Sequence, residues 1–173
     1  MSAYSAEQFQ SETPQLYPRL RRAVTAYLAG SDVDPDDILQ ETFLKAIRNL
    51  DGFRGQAGIY SWLYSIARNL CIDEFRKQQN RSMITSVPVE EFELASDQFA
   101  DEAEREEILI LRKAIAVLPV MFRDVVIMKA IEQMSYEEIA DITGVNIQTL
   151  KNRMFRARKM LAESLKKMGV DEP

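Results

Sequence analysis

The sequence predicts an all-α fold, made of two small helical domains joined by a flexible acidic linker, with a helix-turn-helix in the C-terminal domain. Three observations lead there. Apolar residues recur at helical spacing over most of the 173 residues, and strand-like alternation is scarce. The six glycines and six prolines fall mostly at apparent helix boundaries, as short turns require. Between residues 81 and 107, nine acidic residues stand against two arginines with few large apolar side chains, the composition of a tether. The expected limits are 1–80 for the first domain, 81–105 for the linker and 106–173 for the second domain.

Ser5 to Leu28 carries Phe9, Leu16, Leu20, Val24, Tyr27 and Leu28, mostly at helical spacing, with Pro14 and Pro18 expected to start or kink a helix. Arg19, Arg21 and Arg22 read as a solvated face. After a turn over 30–34, Asp34 is placed to cap a helix that Pro35 opens, since proline has no amide to leave unsatisfied in the first turn. That helix is expected to bury Ile38, Leu39, Phe43, Ile47 and Leu50 and to turn Asp37, Gln40, Glu41 and Lys45 outward. The stretch Phe53 to Trp62 combines glycines, Arg54, Gln56 and three aromatics. Exposed aromatics beside arginine are platforms for single-stranded bases, although by composition alone the aromatics read as anchors of a loop to the core. A helix from about Ile59 to Gln79 then sets Leu63, Ile66, Ala67, Leu70 and Phe75 against Arg68, Asn69, Asp73, Arg76 and Lys77. Cys71, among Leu70, Ile72 and Phe75, reads as a small core residue.

Beyond the acidic stretch, Ile108, Leu109, Leu111, Ile115 and Leu118 define a helix stopped by Pro119, and Phe122, Val125, Val126 and Ile131 define the next. Ser135, three residues before Glu138, forms a capping-box signature, and Gly144 stands where a left-handed residue ends the helix at little cost. Asn146 is placed to cap a last helix with apolar Ile147, Leu150, Met154, Met160 and Leu161. Its other side carries Gln148, Thr149, Lys151, Asn152, Arg153 and Arg156, which suit base edges and phosphates. From Lys151 to Lys167 seven basic residues stand against Glu163 alone, in a chain of net charge -5. Nucleic-acid affinity follows the phosphates neutralised locally, so a cationic patch on an acidic protein marks a site.

The totals exclude other chemistry. With no histidine and one cysteine, neither a disulfide nor a Cys/His metal site is expected, and no cofactor is called for. No nucleophile is paired with a base and no phosphate loop is present, so an enzyme is not expected. The N-terminus has neither a basic start nor an apolar run, and no stretch approaches a membrane span, which points to a cytoplasmic protein without membrane insertion.

DILQETFLKAIRNLDGFRG, YSWLYSIARNLCIDEFRK, LP and SYEEIADITGV followed by TLKNRMFRARKML occur here in the order of a known family. The chain resembles a bacterial RNA polymerase sigma factor of group 4, the extracytoplasmic-function (ECF) type. The resemblance implies that Asp37, Leu39, Gln40 and Glu41 face the coiled coil of the polymerase beta-prime subunit. It implies that Phe53, Arg54, Gly55, Gln56 and Tyr60, with Asn69, take the promoter minus-ten element and a flipped base, while Arg68, Arg76 and Lys77 hold strand phosphates. Trp62 belongs to the family's aromatic block, with a core role expected over a melting wedge. Gln148, Thr149, Lys151, Asn152, Arg153 and Arg156 would lie in or beside the minus-thirty-five major groove, with Tyr136 near the backbone. Val120 and Met121 would offer a contact to the polymerase beta flap or a regulator, and an anti-sigma factor is the expected controlling partner. Gln133 departs from the glycine that many members carry before the helix-turn-helix.

Two other readings use the same residues. A dimeric helix-turn-helix regulator would bind duplex DNA without polymerase, and a sigma mimic would sequester an anti-sigma factor without reading promoters.

Overall fold

A computed structural model describes residues 5–55, 58–82 and 102–170, which comprise seven α-helices. No helix among them is long and apolar enough to cross a membrane. Two compact units result, one of 1–25 with 33–86 and the other of 26–32 with 87–173. The segment Ala26–Asp32, expected in the first domain, thus falls in the second unit. Residues 83–101, which hold most of the expected linker, lie outside the described residues.

In the first unit, helix α1 (Ala6–Tyr27) starts from a box in which the Ser5 amide donates to Gln8 Oε1 at 2.9 Å and the Gln8 amide to Ser5 Oγ at 3.1 Å. Pro14 and Pro18 sit inside it, on its exposed side. Helix α2 (Pro35–Arg48) opens as expected, the Asp34 side chain accepting the Asp36 amide with Pro35 in the first turn. Phe43 ties α1 to α2, its ring 6.1 Å from Phe9 and 6.0 Å from Tyr17. The Tyr17 hydroxyl and Arg21 Nε both donate to Asp36 Oδ1, at 3.0 and 3.1 Å. These donors, Arg21 foremost, hold the Asp36 carboxyl below its ordinary range. Helix α3 (Ile59–Ser82) buries Leu63, Tyr64, Ala67, Leu70 and Cys71, so Cys71 is a core residue.

In the second unit, α4 (Glu102–Ala116) ends before Pro119 and α5 (Val120–Val126) runs into a π-helical turn, Ile127–Ile131. Arg123 is buried among carbonyls, Nη1 donating to Tyr27 at 2.7 Å and Ala29 at 3.0 Å, and Nη2 to Ala116 at 2.5 Å. Burial pulls its pKa down to about 10, which leaves it charged at neutral pH. The Tyr27 hydroxyl donates to Asp124. Helices α6 (Tyr136–Thr143) and α7 (Ile147–Lys167) complete the unit, with Ile139, Leu150, Met154 and Ala157 in its core.

Candidate nucleic-acid interface

Four local devices set the geometry of α6 and α7. Ser135 Oγ accepts the Glu138 amide at 3.1 Å while Glu138 Oε2 accepts the Ser135 amide at 2.7 Å, so the expected capping box is present. Gly144 ends α6 at φ +68°, its amide donating to the Ala140 carbonyl at 2.8 Å. Asn146 Oδ1 accepts the Thr149 amide at 2.8 Å and starts α7. The fourth device precedes α6, where the π turn leads to Gln133 at φ +56°. Here the glutamine takes the left-handed conformation itself, at a steric cost that glycine lacks.

With α7 anchored through Leu150, Met154 and Ala157, its outer side presents Gln148, Lys151, Asn152, Phe155, Arg156 and Lys159. Spacings of three and four residues put these on one stripe. Gln148 Nε2 donates to Asn152 Oδ1 at 3.4 Å, which aligns two amide side chains fit for base edges. Thr149 and Arg153 flank the stripe, half-buried. Phe155 was not among the expected contacts, yet it is 74% exposed in the middle of the stripe. An apolar reading of helix positions assigns such a residue to the core. Only the register fixed by Leu150 and Met154 turns it outward.

Tyr136, at the start of α6, lies between two ammonium groups, with Lys129 Nζ 5.0 Å and Lys151 Nζ 5.8 Å from its ring centroid. Lys129, on the π turn, also donates to the Met134 carbonyl at 2.9 Å. It too went unremarked in the sequence, because the turn that brings it to Tyr136 leaves no clear local signature.

The first unit holds the second candidate region. Asn69 is exposed on α3 and lines a cavity of about 300 Å³ with Lys45, Asn49, Trp62, Ile66, Leu70 and Asp73. Arg68 Nη1 donates to Asn69 Oδ1 at 3.3 Å. Phe53 packs against Trp62 at 5.1 Å between ring centroids, and both rings are half-buried. Arg54 and Gly55 are exposed, and Gly55 takes φ +67°, which a side chain would disfavour. Gln56 lies outside the described residues. Tyr60 is half-buried under Arg19, whose guanidinium carbon is 3.9 Å from the ring centroid. Arg76 and Lys77 are exposed, but Asp73 and Glu74 on the same helix already oppose their charges.

Helix α2 divides into a buried and an exposed side. Asp37, Gln40 and Glu41 point outward as anticipated, and Leu39 is 1% exposed, buried as its helical spacing led one to expect and so not on the outer face with them. Ile47, expected inside, is 59% exposed, and Leu44 joins it at 52%. The buried side of α2 runs through Ile38, Leu39, Thr42 and Ala46, a phase that takes in a threonine and an alanine in place of two larger residues. The Thr42 hydroxyl fits there because it donates to the Ile38 carbonyl at 2.7 Å.

The Sigma-70 region 2 family model matches residues 15–81, and the Sigma-70 region 4 model matches 108–161. The ECF RNA polymerase sigma-E factor of Escherichia coli strain K12 is 34% identical over 149 residues, covering 80% of this chain and 76% of that protein. This chain belongs to the ECF family of RNA polymerase sigma factors. The sigma-E factor of Haemophilus influenzae is 29% identical over 155 residues, covering 82% of this sigma factor and 79% of its relative. Among solved structures, the sigma factor RpoE from Bartonella quintana, in complex with the anti-sigma factor NepR, has a TM-score of 0.76 and 28% identity. It covers 96% of this chain and 100% of its own. CnrH, in complex with the cytosolic domain of CnrY, shares the fold at a TM-score of 0.69 and 24% identity, covering 94% of this chain and 90% of its own.

Proposed function

We propose that this sigma factor brings core RNA polymerase to its promoters by gripping two promoter elements with different surfaces and opening the duplex at one of them. The observation that carries this reading is the stripe of α7. Amide, cationic and aromatic side chains stand together on a helix whose start is capped and whose inner side is buried. Gln148, Asn152 and Arg156 read base edges of the minus-thirty-five element from the major groove, and Phe155 meets thymine methyl groups. Tyr136, Lys129, Lys151, Thr149 and Arg153 hold the flanking phosphates.

The cavity beside Asn69 takes a base extruded from the non-template strand of the minus-ten element. Its volume falls at the small end of ligand pockets, and trapping a base there offsets part of the stacking lost on opening. Phe53, Arg54, Gly55, Gln56 and Tyr60 border the strand, and Arg76 and Lys77 exchange their carboxylate partners for phosphates. Joining the two grips in one chain makes the second contact intramolecular, so neither has to be tight alone.

Asp37, Gln40 and Glu41 meet the beta-prime coiled coil, with Leu44 and Ile47 adding exposed apolar area. Met121, 49% exposed, and the half-buried Val120 offer the contact for the beta flap, with Val117, 59% exposed, as added apolar area. An anti-sigma factor is the proposed regulator, supported by the similar RpoE in complex with NepR. The protein acts in the cytoplasm and carries out no catalysis of its own.

Reconstitution with core polymerase on a promoter library tests the reading. Initiation from a defined set of promoters sharing two spaced elements is the expected result. No initiation from any member overturns it.

A further inference from the structure

Arg19 lies 41 residues from Tyr60 in the chain, and by sequence it belongs to a solvated arginine cluster on α1. In the folded first unit its guanidinium instead covers the Tyr60 ring at 3.9 Å, while the side chain stays on the surface. Tyr60 is itself 6.2 Å from Tyr64, a ring buried in the core, so the stack is footed on a fixed base. A guanidinium stacks through its face and binds phosphate along its edge, which lets one arginine do both at once. Arginine laid on an aromatic ring is the pairing that single-stranded nucleic acid seeks, and Arg54, a few residues before Tyr60 in the chain, is exposed.

We propose that Arg19 of α1 is a further contact to the opened promoter strand, holding one phosphate of the strand that passes Tyr60 and fixing that ring in place. This rests on the strand-capture reading of the Phe53 to Tyr60 segment and extends it to a helix outside that segment.

The test uses holoenzyme assembled from the full chain and core polymerase, on the strongest promoter recovered from the library with its minus-ten region pre-melted. Affinity is measured across a salt series for wild type and for Arg19→Ala, Arg19→Lys, Arg22→Ala and Asn69→Ala. One single-strand phosphate contact contributes about 0.7 to the slope of log affinity against log salt. Arg19→Ala should lower the slope by about that amount and weaken binding several-fold. Arg19→Lys should keep the slope, and Arg22→Ala should behave as wild type. A wild-type slope in Arg19→Ala overturns the proposal, including the case in which that variant merely melts at lower temperature, since a purely structural pin changes stability and not phosphate count. If Asn69→Ala still weakens binding, strand capture survives that failure. If wild type shows no preference for pre-melted over closed DNA, the capture reading and the Arg19 contact fall together.

Discussion

Ser135 and Glu138 each satisfy the other's backbone amide, at 3.1 and 2.7 Å, and so fix where α6 begins. Ser135→Ala removes the acceptor and leaves the Glu138 amide without it, at a cost of about 1 kcal/mol. Urea unfolding followed by far-ultraviolet circular dichroism should show that loss, and Ser135→Asp should retain most of the stability. Equal stability of Ser135→Ala and wild type would contradict the cap.

Gln133 holds φ +56° where a side chain is disfavoured. Gln133→Gly should stabilise the protein by roughly 0.5–1 kcal/mol, and Gln133→Val should destabilise it, because a β-branched residue fits that region worst. The opposite order in thermal melts would show that the glutamine is not strained there.

The Arg21 and Tyr17 donors keep the Asp36 carboxyl ionised to lower pH than an unfolded one. Its folded pKa is depressed, so the contact stabilises fully above the unfolded value of about 4 and is lost as pH falls through the lower folded value. With side-chain exposures of 39% and 45% the gain stays below about 1 kcal/mol. Asp36→Asn should therefore be slightly less stable at neutral pH, and its deficit should shrink in acid. A deficit that is constant with pH would assign the effect to packing.

Arg156→Ala should weaken binding to duplex minus-thirty-five DNA by about 1–3 kcal/mol, or roughly 5- to 150-fold. Phe155→Ala should act in the same direction by less, while leaving stability within about 0.5 kcal/mol because the ring already faces water. Gel-shift titration beside a thermal melt separates the two. Unchanged duplex affinity in both variants would remove α7 from the groove.

Asn69→Ala should leave duplex binding by α7 intact and impair strand opening, read as permanganate reactivity of promoter thymines in the polymerase complex. Normal reactivity would exclude the cavity beside Asn69 as the base pocket.

Local signals in the sequence were enough for the parts of the fold that local chemistry decides. The Ser135 box, the Gly144 end of α6, the Asn146 cap and the Asp34–Pro35 start of α2 each involve residues within a few positions of one another. The phase of α2 was harder to read, because apolar residues occupy more than one of its sides and spacing alone could not choose between Leu39 with Ala46 and Leu44 with Ile47. Phe155 was hidden for the same reason. Arg19 on Tyr60 is a matter of chain reversal between α1 and α3, to which no neighbouring residue testifies. Lys129 beside Tyr136 depends on a π turn that sequence periodicity does not announce.

If α7 reads promoter DNA as proposed, the reciprocal amide contacts at Ser135 and the Asn146 side chain that seats the Thr149 amide also bear on how quickly a promoter is found. A recognition surface folded before it meets its target owes little ordering entropy at the moment of contact, in contrast to a basic tail that must first take shape on the duplex. The rate of productive encounter is then set by collision and electrostatic attraction, and the choice among promoters by how long each holds on.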